Sequence, residues 1–324
     1  MIPLEKYSEA LSQKLAATVS VKEPEQLYGP VSYIVSLGGK RLRPILTLMS
    51  CDFFSGSYEK AMDAAIAVEL FHNFSLIHDD IMDNAPLRRG QETVHEKWDI
   101  NTGILSGDAM LILAYQLFEN YEPALFRDLA KLFSKTALQV CEGQQYDVDF
   151  ETRDDVTLPE YIKMIDYKTA VLIGAAMKMG AIVAGASESC TEHIYDFGRY
   201  LGIAFQLQDD YLDAFGNPEN FGKQVGGDII ANKKTFLYLT AFQNGSKKQA
   251  DELVNLFSIE PKDPSDKIET VKRIFQTSGA SEATKKEIIH YTEKANQVLE
   301  KIDISSENKE ALREFGKSLM ARTV

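Results

Sequence analysis

Residues 75–90, SLIHDDIMDNAPLRRG, place three aspartates directly after an apolar run. That run, VELFHNFSLI at 68–77, is typical of a buried helix, and Asp79, Asp80 and Asp83 close it. Because Asp79 and Asp83 share one helix face, their like charges destabilise the helix by roughly 0.2–0.5 kcal/mol. Such an acidic helix end is either solvated or balanced by a cation. Carboxylates at this spacing suit Mg²⁺, which commonly lies between one or two carboxylates and a substrate phosphate.

A second acidic stretch repeats the pattern. Residues 205–213, FQLQDDYLD, carry Asp209, Asp210 and Asp213 at the end of another apolar run, 200–205. Two unrelated surface patches would also give this pattern, but both sets close a helix that has the character of a core helix. We therefore expect two helices to face each other across a central cavity. Their carboxylates would hold a phosphate-bearing ligand at its mouth through shared metal ions.

Composition limits the protein class. The chain has 324 residues, 44% of them hydrophobic and 26% charged, which allows one large or two medium globular domains. Its net charge of −13 and the lack of a dense basic stripe argue against nucleic-acid binding. The three cysteines are widely spaced, which predicts reduced thiols and a cytoplasmic protein. The first residues lack the apolar core of a signal peptide, and no apolar run reaches the ~18 residues of a membrane span.

The apolar spacing predicts an all-α protein. No period-two alternation argues for strands, and glycine and proline fall mostly between helical segments. We expect a single domain, residues 1–324, built as one large helical bundle. The main helices are predicted at 3–19, 30–37, 45–54, 61–82, 103–118, 123–150, 161–180 and 190–215. Another helix should follow residue 235. Two charged helices are expected at 282–302 and 307–320, after a turn-rich segment at 258–266.

Basic residues cluster around glycines in the predicted loops. They occur in GGKRLRP at 38–44, in LRRG at 87–90 and in the glycine- and lysine-rich segment 221–234. A single lysine or arginine is ordinarily a solvated surface charge. Arginine forks match phosphate oxygens with two hydrogen bonds, whereas lysine acts as a point charge. The clusters therefore favour an anionic ligand such as a phosphate.

Together these motifs resemble the trans-isoprenyl diphosphate synthases, the polyprenyl synthetase family, from residue 38 to about residue 235. The resemblance is carried, in the family's order, by GGKRLRP (38–44), LIHDDIMDNAPLRRG (76–90), GQQYD (143–147), KT (168–169), FQLQDDYLD (205–213), and GKQVGGD with NKK (222–234). Either acidic motif alone would also fit a terpene cyclase. Both motifs with GGKRLRP point to the chain-elongating enzymes and to the isoprenoid synthase type of helical bundle.

The resemblance implies a role for each matching residue. The metal ligands, for about three Mg²⁺ ions, would be Asp79, Asp80, Asp83 and Asp209, with Asp210 and Asp213 behind or beside it. Contacts to the allylic diphosphate would come from Arg88, Lys168, Gln206, Lys223 and Lys233. Isopentenyl diphosphate would be bound by Lys40, Arg43, His72 and Arg89. Thr169 and Gln206 would stabilise the allylic cation, and Asp147, with Gln144 from the same motif, would support the basic residues. The resemblance also implies a homodimer.

Product length should depend on side chains below the first acidic motif. Phe74 lies five residues before Asp79, ~7.5 Å down the helix axis, and Ser75 between them is small. In the family, an aromatic residue at the fifth position, with no insertion in the acidic motif, accompanies geranylgeranyl products. Phe71 would also shorten the pocket. The expected function is therefore a geranylgeranyl diphosphate synthase; the alternatives are a farnesyl diphosphate synthase, a terpene cyclase or a non-catalytic partner subunit.

Overall fold

The structure, a computed structural model, describes residues 4–216 and 226–321. The first ten helices are α1 (Leu4–Thr18), α2 (Glu25–Ser36), α3 (Leu42–Ser55), α4 (Met62–Met82), α5 (Val94–Lys97), α6 (Ile100–Phe118), α7 (Pro123–Thr152), α8 (Leu158–Ile165), α9 (Val171–Val183) and α10 (Glu188–Phe215). The remaining helices are α11 (Gly227–Ile230), α12 (Phe236–Asn244), α13 (Lys247–Leu256), α14 (Ser265–Thr277), α15 (Ala280–Leu299) and α16 (Ser306–Met320). A short 3₁₀ helix covers Tyr58–Ala61, and a π-helical turn, Asp166–Ala170, joins α8 to α9.

The protein is all-α, as predicted. Within the described ranges, the only strands are β1 (Leu87–Arg88) and β2 (Gln91–Glu92), which form a small antiparallel hairpin. Leu87 pairs with Glu92 and Arg88 with Gln91. None of the helices in residues 4–216 and 226–321 is both long enough and apolar enough to cross a membrane.

The chain divides into two compact units. Unit 1 comprises Met1–Lys135 and Ala175–Tyr195, and unit 2 comprises Thr136–Gly174 and Asp196–Val324. Helices α7, α9 and α10 each have residues in both units. The expected single domain over residues 1–324 stays a prediction.

Unit 1 is built around α4. Every residue from Ala64 to Phe71 is buried, so this part of the helix is surrounded by protein on all sides. Small residues on α6 let α4 approach closely: a Cβ at Gly107 would lie 2.4 Å from His78 Nε2, and one at Gly103 would lie 2.9 Å from Ile81 Cδ1. The carboxyl end of α4, which carries the first acidic motif, is therefore fixed against α6.

Unit 2 has its own apolar core. Helix α12 lies within this core, since the run from Phe236 to Ala241 is buried. Tyr161 of α8, Leu207 of α10 and Phe275 of α14 belong to the same buried cluster. This packing holds α8, α10, α12 and α14 together, and α10 brings the second acidic motif into unit 2.

Several predicted helices agree closely with the structure, and others do not. The acid-bearing helices and α7 end within two residues of their predicted limits. Residues 161–180 are helical, as predicted, but they include the π-helical turn, which the sequence pattern did not indicate. The strands of the 87–92 hairpin, too short for an alternating pattern, and helices α13 and α14 were not predicted.

Gly180 of α9 tests the close packing in unit 1. A Cβ at this position would lie 2.1 Å from the backbone oxygen of Thr47 on α3 and 2.9 Å from Cys51 N. Gly180→Ala should therefore lower the free energy of unfolding by about 1–3 kcal/mol through overpacking. Gly29→Ala is a matched control, because nothing lies within 4 Å of its added Cβ. Thermal denaturation of both variants makes the comparison, and an equal effect of the two would contradict this packing.

Candidate active site

The first acidic motif lies at the carboxyl end of α4, where its three carboxylates have different surroundings. Asp80 is 1% exposed, and Arg88 donates to both of its carboxylate oxygens. Arg88 Nε lies 2.9 Å from Oδ1 and 2.8 Å from Oδ2. Arg88 Nη2 lies 2.6 Å from Oδ1. Arg88 Nη2 also lies 3.8 Å from Asp79 Oδ2. Asp79 is half-buried and Asp83, the C-cap of α4, is exposed. Both oxygens of Asp80 therefore accept hydrogen bonds from Arg88.

The β1–β2 hairpin presents Arg88 to this motif. Its turn residues, Arg89 and Gly90, both have positive φ angles, 54° and 75°, which is typical of a type I′ turn. Burial lowers the pKa of Arg88, but the hydrogen bonds and the charge of Asp80 outweigh it, so the pKa is raised. Arg88 is thus a permanent cation held by a short, rigid turn.

The GGKRLRP segment approaches the tip of this hairpin. Gly39 has a φ of 126°, and a Cβ at this position would lie 2.7 Å from Arg89 Cζ. This backbone conformation favours glycine, and the absence of a Cβ leaves room for the Arg89 guanidinium. Lys40, the next residue, is exposed. Arg41 has a different task, because it donates to Ser12 Oγ at 2.7 Å and to Val35 O at 3.3 Å, and so ties α3 to α1 and α2.

Arg43 and His72 form a pair beside these residues. Arg43 Nη1 lies 3.2 Å from His72 Nε2. A guanidinium group only donates, so Nε2 accepts and His72 is neutral with its proton on Nδ1. Burial, aided by the charges of Arg43, Arg89 and Arg88, lowers the pKa of His72 well below its usual value. Four residues predicted to bind the second substrate thus lie in unit 1. Lys40 and Arg43 lie near the start of α3, Arg89 lies in the hairpin turn and His72 lies on α4.

An aromatic cluster lies one to two turns before the first acidic motif. The Phe74 ring is 5.5 Å from that of Phe71 and 4.8 Å from that of His78. Phe71 is buried and lies 5.1 Å from Phe133 of α7. Ser75 donates to His72 O at 2.8 Å, so its small side chain turns back onto its own helix.

The second acidic motif lies at the end of α10, in unit 2. Asp210 is 5% exposed; it accepts a short hydrogen bond from Tyr161 OH and another from Gln206 Nε2 at 2.9 Å. Burial, together with the charge of Asp228, raises the pKa of Asp210 well above its usual value. Asp213 Oδ2 accepts from the backbone of Asp228 at 2.9 Å. Asp209 is half-buried.

The π-helical turn presents Lys168 and Thr169. Lys168 Nζ donates to Asp147 Oδ2 at 2.6 Å, and Thr169 Oγ1 donates to Gln206 Oε1 at 3.1 Å. Two glycines let neighbouring helices approach the turn, since a Cβ at Gly143 would lie 2.2 Å from Lys168 N and one at Gly202 would lie 2.6 Å from Ala170 Cα. A π-helical turn is often found at functional sites.

These side chains of unit 2 line one cavity of about 110 Å³. Lys168, Thr169, Gln206, Asp210 and Lys233 all contribute to its wall. Apolar residues such as Phe150 and Met164 line it as well. The structure therefore brings together five residues that the sequence motifs had linked only through the family resemblance. Lys223 lies outside the described residues.

Sequence reasoning missed three residues of these sites. Tyr161 holds Asp210, and Phe133 packs on Phe71. Glu69 is 3% exposed in the middle of α4, where Asn73 Nδ2 donates to its Oε1 at 3.1 Å, and burial raises its pKa. A glutamate within an apolar run three residues before His72 was a visible signal. Tyr161 and Phe133 had none, because they come from other helices.

Comparisons with known proteins identify the family of this chain. The family model described as polyprenyl synthetase matches residues 24–275. A solved structure of a geranylgeranyl pyrophosphate synthase shares 55% identity over all of both chains, with a TM-score of 0.96. A short chain isoprenyl diphosphate synthase from Methanothermobacter thermautotrophicus is 37% identical over 95% of this chain and 94% of its own.

A third similar protein was solved with ligands. It is the geranylgeranyl pyrophosphate synthase from Corynebacterium glutamicum, complexed with isoprenyl diphosphate and magnesium. It shares 26% identity over 99% of this chain and 100% of its own, with a TM-score of 0.89.

The fold and these matches define an all-α transferase of the isoprenoid synthase type. The chain belongs to the polyprenyl synthetase family, and its enzyme class is that of the isoprenyl diphosphate synthases. The predicted family, fold class and enzyme class are confirmed.

The neutral state of His72 predicts a pH dependence of stability. His72 stays neutral in the folded chain, whereas the unfolded chain takes up a proton there below about pH 6.5. The unfolded chain therefore binds more protons as pH falls through that value, and this group alone lowers stability by up to about 1.4 kcal/mol per pH unit. His72→Gln keeps an acceptor for Arg43 and should remove this contribution. Denaturant unfolding at about pH 7.5 and about pH 5.5 measures it; an equal loss in both proteins would contradict it.

Proposed function

We propose that the protein condenses isopentenyl diphosphate with an allylic diphosphate, either dimethylallyl, geranyl or farnesyl diphosphate, and that its main product is geranylgeranyl diphosphate. The cavity of unit 2 is the observation that carries this proposal, because Lys168 and Lys233 line it together with Asp210 and apolar side chains. Cations for a diphosphate and an apolar wall for a hydrocarbon chain suit this ligand class. The names of the similar geranylgeranyl pyrophosphate synthases support the product.

The donor set fits a divalent metal. Asp79 and Asp83 offer hard carboxylate oxygens one helical turn apart. Burial is the main cause of the raised pKa of Asp210, and the negative charges of Asp228 and Asp209 raise it further. A nearby cation would relieve this repulsion between carboxylates. No three His, Cys, Asp or Glu side chains gather into a metal cage within residues 4–216 and 226–321. Substrate phosphate oxygens would therefore complete the coordination, as Mg²⁺ commonly requires.

We assign the aspartates of the two motifs different tasks. Asp79, Asp83, Asp209 and Asp213 would hold about three Mg²⁺ ions with the allylic diphosphate. Asp80 and Asp210 are the two buried aspartates, and they contact Arg88 and Tyr161 with Gln206. They would therefore orient the neighbouring ligands and their cationic partners. When bound, Mg²⁺ would stabilise the charge of the leaving diphosphate.

The side chains of the protein would bind and orient both substrates. Lys168, Lys233 and Arg88 would neutralise the allylic diphosphate, and Lys40, Arg43, His72 and Arg89 would bind isopentenyl diphosphate without a metal. The allylic C–O bond breaks, and the isopentenyl double bond attacks the cation. The proton then leaves to the departing diphosphate. Thr169 and Gln206, joined by their hydrogen bond, would turn their oxygen dipoles toward the cation.

A product assay tests this function. With isopentenyl diphosphate and each allylic primer, mass spectrometry of the dephosphorylated products should find geranylgeraniol, and chelation of Mg²⁺ should stop turnover. Asp79→Ala should lower kcat roughly 100-fold or more. A cyclic hydrocarbon formed from farnesyl diphosphate alone would instead support a terpene cyclase, and no turnover with any primer would support a non-catalytic subunit.

Phe74 is the proposed floor of the product pocket. Its ring is held between Phe71 and His78. Phe74→Ala would open space for a longer chain, so the product distribution should shift by at least one isoprene unit in the same mass-spectrometric assay. Phe126→Ala, which removes a phenyl group at a 36% exposed position of α7, is the matched control. An unchanged distribution in Phe74→Ala would eliminate this residue as the floor.

We further propose a homodimer and a cytoplasmic location. Leu105 and Ile112 of α6 are 60% and 58% exposed and lie two turns apart on one helix face, which a second copy would cover. A single-chain mass in sedimentation equilibrium would contradict the dimer.

Cys51, Cys141 and Cys190 are all free thiols, which supports a reducing compartment. Fractionation of cells would test the location, and recovery outside the cytoplasm would contradict it.

A further inference from the structure

The loop that carries Lys233 is held by two other lysines. It connects α11 to α12 and runs from Ala231 to Thr235. Lys233 contributes to the wall of the unit 2 cavity. The residue before it and the residue after it make contacts with distant parts of unit 2, and neither contact belongs to the chemistry described above.

Lys267 of α14 holds the residue before Lys233. Its side chain is buried, with the residue 3% exposed, and its Nζ donates to Asn232 Oδ1 at 2.6 Å and to Ile259 O at 3.0 Å. Asn232 has a φ of 58°, a left-handed conformation that asparagine tolerates better than most residues. A buried ammonium needs such oxygen partners, because burial without them is costly. The ammonium of Lys267 is therefore used to fix Asn232.

Lys234 holds the other side of the loop. Its side chain is 9% exposed. Nζ donates a short hydrogen bond to Arg153 O and lies 3.5 Å from Glu151 O and 3.2 Å from Asp154 Oδ1, at the end of α7. A cation at a helix carboxyl end is favoured by the free carbonyl groups there. The backbone of Lys233 is also tied down, since its N–H donates to Asp228 O at 2.9 Å.

From these contacts we propose that Lys267 is a positioning residue for the allylic diphosphate: through Asn232 it fixes the backbone from which Lys233 reaches into the cavity. The inference rests on the proposed function. A lysine side chain is long and flexible, so the place of its ammonium depends on a fixed backbone. Without Lys267, the loop would be less ordered before the ligand binds. Binding would then cost the conformational entropy of ordering the loop, so the affinity for the ligand would fall.

Two substitutions remove the contact from opposite sides. Lys267→Met keeps an unbranched apolar stem but loses the donor. Asn232→Gly loses the acceptor while it still allows the left-handed backbone. Each should raise KM for the allylic diphosphate roughly tenfold, the effect of losing one charge-assisted hydrogen bond. KM for isopentenyl diphosphate and kcat should stay near their wild-type values. The double variant should be no worse than either single variant, because both remove the same contact.

Controls separate positioning from a loss of folding and from a failure of the proposed function. Lys262→Met removes one exposed lysine near α14 and should leave both KM values unchanged. Calorimetric titration with inorganic pyrophosphate and Mg²⁺ should show the same roughly tenfold weakening in Lys267→Met and Asn232→Gly, even if wild-type turnover yields no prenyl product. Wild-type pyrophosphate affinity in both folded variants, or additive effects in the double variant, would overturn the proposal.

Discussion

The ion pair between Asp80 and Arg88 is the interaction on which the first acidic motif depends. A carboxylate 1% exposed at a helix end requires a partner, and Arg88 supplies three hydrogen-bond contacts to it. Removal of one partner from a buried pair typically costs about 3–5 kcal/mol, because the other charge is left unpaired. The hairpin turn at Arg89 and Gly90 brings Arg88 to Asp80, so this short strand pair serves the motif.

Unit 2 fixes its own motif with different residues. Tyr161 and Gln206 hold Asp210, and Gln206 also accepts from Thr169. In each motif, therefore, the second aspartate is held by the protein while its neighbours are more exposed. A ligand carboxylate that is kept in place by a fixed neighbour needs less ordering when the metal and substrate bind. The repeated DD pattern thus places one buried aspartate beside aspartates that are more exposed.

Local sequence patterns predicted much of the fold and of the site. Apolar periodicity and the closing aspartates located α4 and α10, because these helices are defined by burial along one run of residues. The motifs grouped Lys168, Thr169 and Gln206, which the cavity brings together. The π-helical turn was beyond such reasoning, since it depends on the space that Gly143 and Gly202 leave on neighbouring helices. Tyr161 and Lys267 likewise act through contacts between segments distant in sequence.

A crystal structure with Mn²⁺ and an unreactive allylic diphosphate analogue would test the division of tasks among the aspartates most directly, because anomalous scattering locates Mn²⁺. We expect metal bound to the oxygens of Asp79 and Asp83, with Asp80 still paired with Arg88. Metal bound to Asp80 in place of Arg88, or diphosphate bound with no metal at Asp79 and Asp83, would contradict this division of tasks.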